Sequence, residues 1–243
     1  MTKVMSLVKA SGFSNSSEFR DYWANDYLAS ILNTARMDQK ITRVVHNHVV
    51  PVGIRDDAEF HTGDWAGVGE TWFETAQGAN EFLGSRAVAK AIAAHAPFLP
   101  EVVHLHCKEL PQWDLGLETP SLKLIAFFHS SPIMTREQSQ QYWTHEHVRI
   151  ASALNDPTRY APRYVQNHTL LDYHTVNPEH DFVGAPELWF HSEAAAQKLF
   201  REMDGSRMDE LVADEAKFSD RKRTVSLITD EHLVYSKNDS KGR

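Results

Sequence analysis

Two segments of this chain recur at a single offset. Tyr22-Trp23-Ala24-Asn25-Asp26-Tyr27 returns as Tyr142-Trp143-Thr144-His145-Glu146-His147, and Arg43-Val44-Val45-His46-Asn47-His48 returns as Arg163-Tyr164-Val165-Gln166-Asn167-His168. Both steps are 120 residues (142 − 22 and 163 − 43). Lys3 aligns at the same step with Lys123-Leu124-Ile125-Ala126-Phe127-Phe128, and Glu70-Thr71-Trp72-Phe73 is answered by Glu187-Leu188-Trp189-Phe190 at a step of 117 (187 − 70). Independent matches at one offset point to a tandem duplication, so any fold proposed for one half must also suit the other.

Periodicity supplies the elements. Phe19, Trp23, Tyr27 and Ile31 recur at helical spacing after the capping run Ser14-Asn15-Ser16-Ser17, and a second helix is predicted from Ala76 to Ala94. In the second half Thr135 with Gln138 three residues on has the capping-box pattern. Strands are predicted at Lys3–Lys9, Arg43–Val50, Glu70–Phe73 and Val102–Lys108, and the order repeats, ending in Val225–Thr229. The expected domains are residues 1–110 and 122–235, joined by a Pro- and Gly-containing linker at 111–121 and followed by a polar tail, 236–243.

A βαββαβ half makes a four-stranded antiparallel sheet with both helices on one face. Its other face also carries apolar residues and needs cover, which the duplicate half can provide. The predicted class is therefore α+β: two tandem ferredoxin-like βαββαβ repeats whose antiparallel sheets face each other as a dimeric α+β barrel in one chain. Its interior is the expected ligand site.

Composition excludes several functions. A net charge of −8 does not supply the basic surface that nucleic acid requires, and no apolar run approaches a membrane span. The N-terminus lacks the pattern of a signal peptide, and the single Cys107 cannot form an internal disulfide, so a cytoplasmic location is expected. Fourteen histidines are many for 243 residues, and histidine is the side chain suited to proton transfer near neutrality.

His147 falls on the apolar helix stripe with Trp143, Ile150 and Leu154, where it is either a satisfied core group or a chemical one. Alternation puts His46, His48, Tyr164, Gln166 and His168 on the more polar strand face, which is assigned to the barrel interior because a helix-packed face should be apolar. His104 and His106 share a strand face and, with His46 and His48, form a weak candidate set for a metal. His129 could reach a cavity mouth, and Phe128 and Trp189 could wall a flat organic ligand.

The pattern Tyr142-Trp143-x-x-x-His147, Arg159-Tyr160, Tyr164-Val165-Gln166-Asn167-His168, Glu187-Leu188-Trp189-Phe190 and Thr229-Asp230-Glu231-His232 resembles the EthD family of dimeric α+β barrel proteins. The resemblance spans the second half; the first is a divergent copy with Tyr27 in place of the helix histidine. It implies the barrel fold and places His147 at the family's characteristic helix histidine. It does not imply one reaction, since proteins on this barrel include isomerases, cyclases, decarboxylases, cofactor-free monooxygenases and haem enzymes.

The expected function is cofactor-free proton transfer, by an isomerase, lyase or decarboxylase, on a hydrophobic aromatic or carbonyl-bearing metabolite. His147 and His168 are the expected acid-base pair, and Tyr164 and Asn167 would hold the substrate oxygen. His46, His48, His129, Gln166, Trp189 and Phe128 are expected to contact substrate. A metal- or haem-dependent oxidoreductase using His46, His48, His104 and His106, and a non-catalytic ligand-binding protein, are the alternatives. Pairing of two chains through sheet edges is left open.

Overall fold

In the computed structural model, residues 2–50, 63–116, 122–154, 160–202 and 205–238 are described. The linker beyond Gly116, Arg159 and the end of the polar tail lie outside these residues. The chain divides into two compact units. Unit 1 comprises Met1–Val49, Asp64–Lys108 and Glu231–Arg243; unit 2 comprises Val50–Gly63 and Glu109–Asp230.

In unit 1 the order is β1 (Thr2–Val8), α1 (Ser16–Tyr22), a π-helical turn (Trp23–Tyr27), α2 (Leu28–Leu32), β2 (Ile41–Val49), β3 (Gly67–Phe73), α3 (Ala76–Gly84), α4 (Arg86–Ala94) and β4 (Val102–Asp114). Unit 2 follows the same order: β5 (Leu122–Ser130), α5 (Arg136–Tyr142), a π-helical turn (Trp143–His147), α6 (Val148–Leu154), β6 (Arg163–Thr169), β7 (Gly184–Phe190), α7 (Glu193–Glu202), α8 (Gly205–Phe218) and β8 (Ser219–Ser236). Asn15 caps α1 by accepting from Glu18 N, and Thr135 and Gln138 form the capping box of α5. The single helix predicted over Ala76–Ala94 is two. Ser85 is extended (φ −77°, ψ 120°) and its side chain caps α4 at Val88 N, so a cap residue divides a continuous apolar stripe.

Within each unit's four-stranded sheet the strand pairs are antiparallel. In unit 1 the order is β4-β1-β3-β2, with Val4 opposite both Thr71 and His106. In unit 2 it is β8-β5-β7-β6, with Val165 opposite Glu187 and Glu187 opposite Ile125. The last strands outrun the predicted ends. β4 continues through Pro111 to Asp114, where a linker was expected, and its end lies beside β6, with Leu115 N bonded to Pro162 O at 2.9 Å. The end of β8 from Glu231 belongs to unit 1, where it lies beside β2 and Lys237 N bonds Thr42 O at 2.9 Å.

The two faces of each sheet are reversed from expectation. Val4, Val8 and Val44 pack against Phe19, Trp23, Tyr27 and Ile31, so the residues in register with them, His46, His48, His104 and His106, face the helices. In unit 2 the helix side carries Leu124, Phe128, Tyr164, Gln166 and His168. The polar strand face is thus the helix-packed one, because tryptophans of the π-helical turns use it. Trp23 stacks on His46 (3.8 Å between ring centres, 9° apart), and Trp143 stacks on His168 (4.7 Å, 7°).

The indoles press closely on the sheet. At Gly184 an added Cβ would lie 2.4 Å from Asn167 O and 2.9 Å from Trp143, and at Gly67 it would lie 2.7 Å from both Asn47 O and Trp23. A backbone oxygen cannot yield as a flexible side chain can. Gly184→Ala should therefore destabilise by about 1–3 kcal/mol and lower the melting temperature by several degrees, whereas Gly84→Ala, with nothing within 4 Å, should not. Thermal unfolding of both variants checks this.

The face away from the helices holds one constellation twice. In unit 1 Lys3 pairs with Glu70, Asn47 Nδ2 donates to Glu70 at 2.7 Å, and Lys3 and Arg43 both lie over Trp72 (4.8 and 4.7 Å). In unit 2 Lys123 pairs with Glu187 at 3.0 Å, Asn167 Nδ2 donates to Glu187 at 2.9 Å, and Lys123 and Arg163 lie over Trp189 (4.6 and 4.4 Å). Lys3, Lys123 and Glu187 are 0 % exposed. Charges so buried are tolerable only when paired and hydrogen-bonded, as these are.

Candidate functional site

His147 sits at the end of the second π-helical turn and is 8 % exposed. Such turns make one circuit with an extra residue and are frequent at functional sites. Its imidazole packs against Phe218 of α8 (5.0 Å), and its Nδ1–H donates to Asp214 Oδ2 at 2.8 Å. Asp214 is 2 % exposed. Its other oxygen, Oδ1, accepts from the Tyr142 hydroxyl at 2.6 Å and from Lys217 Nζ at 3.3 Å. Leu211, Asp214, Glu215 and Phe218 follow the helical spacing i, i+3, i+4, i+7, so α8 turns both acids toward the face that carries its apolar contacts.

The chemical consequence is a fixed tautomer. A carboxylate can only accept, so the proton lies on Nδ1 and the Nε2 lone pair is left without a hydrogen-bond donor among the described residues. Burial by itself would raise the Asp214 carboxyl, but the bonds from Tyr142, His147 and Lys217 outweigh it and hold the group below its ordinary value. Glu215 is raised from its ordinary value, first by burial and then by Asp214, against the pull of Arg221 and His147. The two neighbouring acids are therefore pushed in opposite directions.

The depressed carboxyl sets a pH dependence. A lowered folded-state value gives stability that is present above the unfolded aspartate's value, about 3.9, and is lost as pH falls below that through the folded value. Asp214→Asn should accordingly weaken the loss of stability below about pH 4. Acid unfolding of the two proteins, followed by circular dichroism, compares them.

The other expected site residues are dispersed. His168 Nε2 donates to Gln166 Oε1 at 3.0 Å and its ring lies under Trp143, whereas His147 bonds Asp214. Tyr164 receives Trp143 Nε1–H at 2.8 Å and Gln166 Nε2–H at 3.2 Å, and burial pushes its hydroxyl up. Gln166 also donates to Trp143 O. These residues form the seat of Trp143. Asn167 points to the opposite face of β6, bound to Ala185 O and Glu187, with a buried Oδ1 that has no partner. Phe128 meets the Trp143 edge (4.8 Å, 86°), and Trp189 is taken by Lys123 and Arg163. His129 lies against Phe182 (4.6 Å), its titration lowered first by burial and then by Arg223.

The histidines of unit 1 do not converge on one ion. Among the described residues no group of three or more His, Cys, Asp or Glu side chains could hold a metal. Burial lowers His46, helped by His48 and His232, and lowers His104 to about 4 beside Ser6 and Phe82. His46 stacks on Trp23, His48 meets the same indole edge-on, and His104 bonds Ser6, so the imidazoles are held by separate neighbours. The cavity beside His46, between the Trp23 and Phe82 side chains and the sheet, is about 30 Å³. That is space for a water and far below what an aromatic metabolite needs.

At the corresponding helix contact of unit 1 the imidazole is that of His95. Tyr22 donates to His95 Nδ1 at 2.5 Å, and His95 Nε2 bonds Ser30 Oγ at 2.8 Å, which in turn donates to Tyr27 O. Both imidazole nitrogens are committed, and Tyr27 stands where unit 2 has His147. The sequence singles out His147 as a candidate but not Asp214, its partner; an acid on the apolar stripe of α8 is the available signal.

Comparison with known proteins agrees with this picture of the fold. A crystal structure of an anthrone oxidase-like protein matches with a TM-score of 0.61 at 9% identity, covering 97% of this chain and 94% of that one. A protein from Fusobacterium nucleatum subsp. nucleatum, provisionally assigned as a monooxygenase, matches with a TM-score of 0.51 at 5% identity, covering 96% and 92%. At these identities the likeness is one of fold. No curated protein matches the chain. No described helix is long and apolar enough to cross a membrane. The EthD domain model matches residues 131–222, which span α5, the π-helical turn with His147, β6, β7 and the helix bearing Asp214. The match covers residues 131–222 of the 243, so the likeness to an EthD domain is one of that segment.

Proposed function

We propose that the chain is a small-molecule enzyme that works by proton transfer, with His147 as the base and Asp214 as its orienting carboxylate. The observation that carries this reading is the 2.8 Å bond from His147 Nδ1 to Asp214, which leaves Nε2 as the reactive nitrogen. In the step envisaged, Nε2 takes a proton from a carbon next to a carbonyl. The C–H electron pair moves onto the carbonyl oxygen, and the imidazolium, balanced by Asp214, returns the proton to another carbon of the substrate. An isomerase needs no more; in a decarboxylase the carboxylate leaves as CO2, its C–C electron pair moves onto the carbonyl oxygen, and the imidazolium, which has taken its proton from water, delivers it to the carbon that lost CO2. Tyr164 and Asn167 are removed from the roles first expected of them, because both are bonded within the protein. His168 is likewise a packing residue.

We also read the two units as a duplication in which the second kept the chemistry. Their common element order, their matching π-helical turns and the repeated Lys-Glu-Asn-Trp-Arg constellation support this. Thermal-shift screening of pooled aromatic ketones, anthrones and polyketide-like acids, followed by mass spectrometry of the hits, tests the function. Products should be isomers of the substrate or lighter by CO2, and His147→Ala should form none. A product that has gained oxygen would overturn it.

A further inference from the structure

The far oxygen of Asp214 is crowded in a way that holding an imidazole does not require. Oδ2 alone serves His147, while Oδ1 takes both the Tyr142 hydroxyl at 2.6 Å and Lys217 Nζ at 3.3 Å. Lys217 also lies over the Tyr142 ring at 5.8 Å, so the two donors form one cluster at the α5–α8 contact. Tyr142 stacks on Phe218 (5.6 Å, 23°), which itself touches His147, and its hydroxyl position is thereby fixed. We propose that Tyr142 and Lys217 are positioning residues that set the strength of His147 as a base, by drawing negative charge to the far oxygen of Asp214.

The physical chain is short. A carboxylate that receives a neutral hydrogen bond and a cation on one oxygen has less charge to offer a proton donor on the other. The imidazolium form of His147 is then less stabilised than it would be by a bare aspartate, and its proton is easier to return to substrate. A base must give back what it takes, so this matters for turnover as much as for capture. The charged and titratable groups around His147 are Asp214 and Glu215 on α8, Lys217 one turn further, and Tyr142 on α5. Unit 1 has a parallel only in part: Tyr22 donates to His95, an imidazole in place of a carboxylate.

The inference rests on the dyad reading, and the test separates the two. The probe is the protein alone: the His147 imidazole is followed by NMR through a pH titration, its signal assigned by its absence in His147→Gln. Removing the Asp214 charge in Asp214→Asn should move the His147 midpoint down by about 1 unit. Tyr142→Phe and Lys217→Met should each move it up by about 0.5 unit. A purely structural tyrosine would lower the melting temperature of Tyr142→Phe and leave the titration in place. If Asp214→Asn moves the midpoint down while Tyr142→Phe and Lys217→Met do not move it up, the tuning proposal fails and the dyad stands. If Asp214→Asn does not move it down, the dyad fails and the proposal with it.

Discussion

Glu187→Leu should unfold the protein at a much lower temperature than the wild type, with a loss of about 3–5 kcal/mol. The carboxylate of Glu187 is completely buried, bonded to Lys123 at 3.0 Å and to Asn167 Nδ2 at 2.9 Å. Removing it leaves the Lys123 ammonium, itself 0 % exposed, with its main counter-charge gone and little water to replace it. Asn167 keeps Ala185 O as an acceptor, so its share of the loss is small. Trp189 remains over Lys123, yet a cation–π contact of about 1–2 kcal/mol does not replace an ion pair in a dry interior. The double variant Lys123→Met/Glu187→Leu should recover at least half of the loss, because apolar residues of similar volume often substitute for a buried pair at no cost. Urea unfolding of the wild type, the single and the double variant measures all three. A single variant as stable as the wild type would mean that the pair contributes nothing.

Asp214→Asn should reduce turnover by about 10²–10⁴-fold with the fold retained. The amide keeps the shape of the carboxylate and can still accept from Tyr142 through its oxygen. It cannot supply the negative charge that balances an imidazolium, and with its NH2 toward His147 it favours the other tautomer, in which Nε2 carries the proton. Stability should fall much less than activity. Asp214→Ala is the poorer probe, since it also strands the Tyr142 hydroxyl and Lys217.

The α+β elements could be read from the sequence because their signals are local. Helical spacing at Phe19, Trp23 and Tyr27 and the cap at Thr135 depend on neighbours a few residues away. His147 could be singled out because it falls on the helical stripe of Trp143 and Ile150 and matches the pattern Tyr142-Trp143-x-x-x-His147. Asp214 could not be found in the same way. It lies 67 residues from His147, and the repeat gives no hint, since unit 1 uses His95 at the matching contact. The reversed sheet faces have a different cause. Alternation identified the two sets of residues correctly, but the rule that the helix side is the apolar one failed. A flat indole packs well on a flat imidazole, so His46 and His168 belong under tryptophans. The opposite face hides Lys3 and Lys123, whose charge is cancelled by Glu70 and Glu187 from a neighbouring strand. Side-chain polarity counted along one strand cannot register a partner on the next.

The central claim is that His147, oriented by Asp214, is the base. The most direct measurement is kcat/KM of His147→Ala on the substrate found by screening, with the melting temperature taken on the same preparation. The imidazole packs on Phe218 and bonds one oxygen of Asp214, and the other oxygen keeps its two donors without it. The account predicts a fall in kcat/KM of at least about 10²-fold with a melting temperature only a few degrees lower. Turnover at the wild-type rate, or a loss of activity that merely follows unfolding, would contradict it.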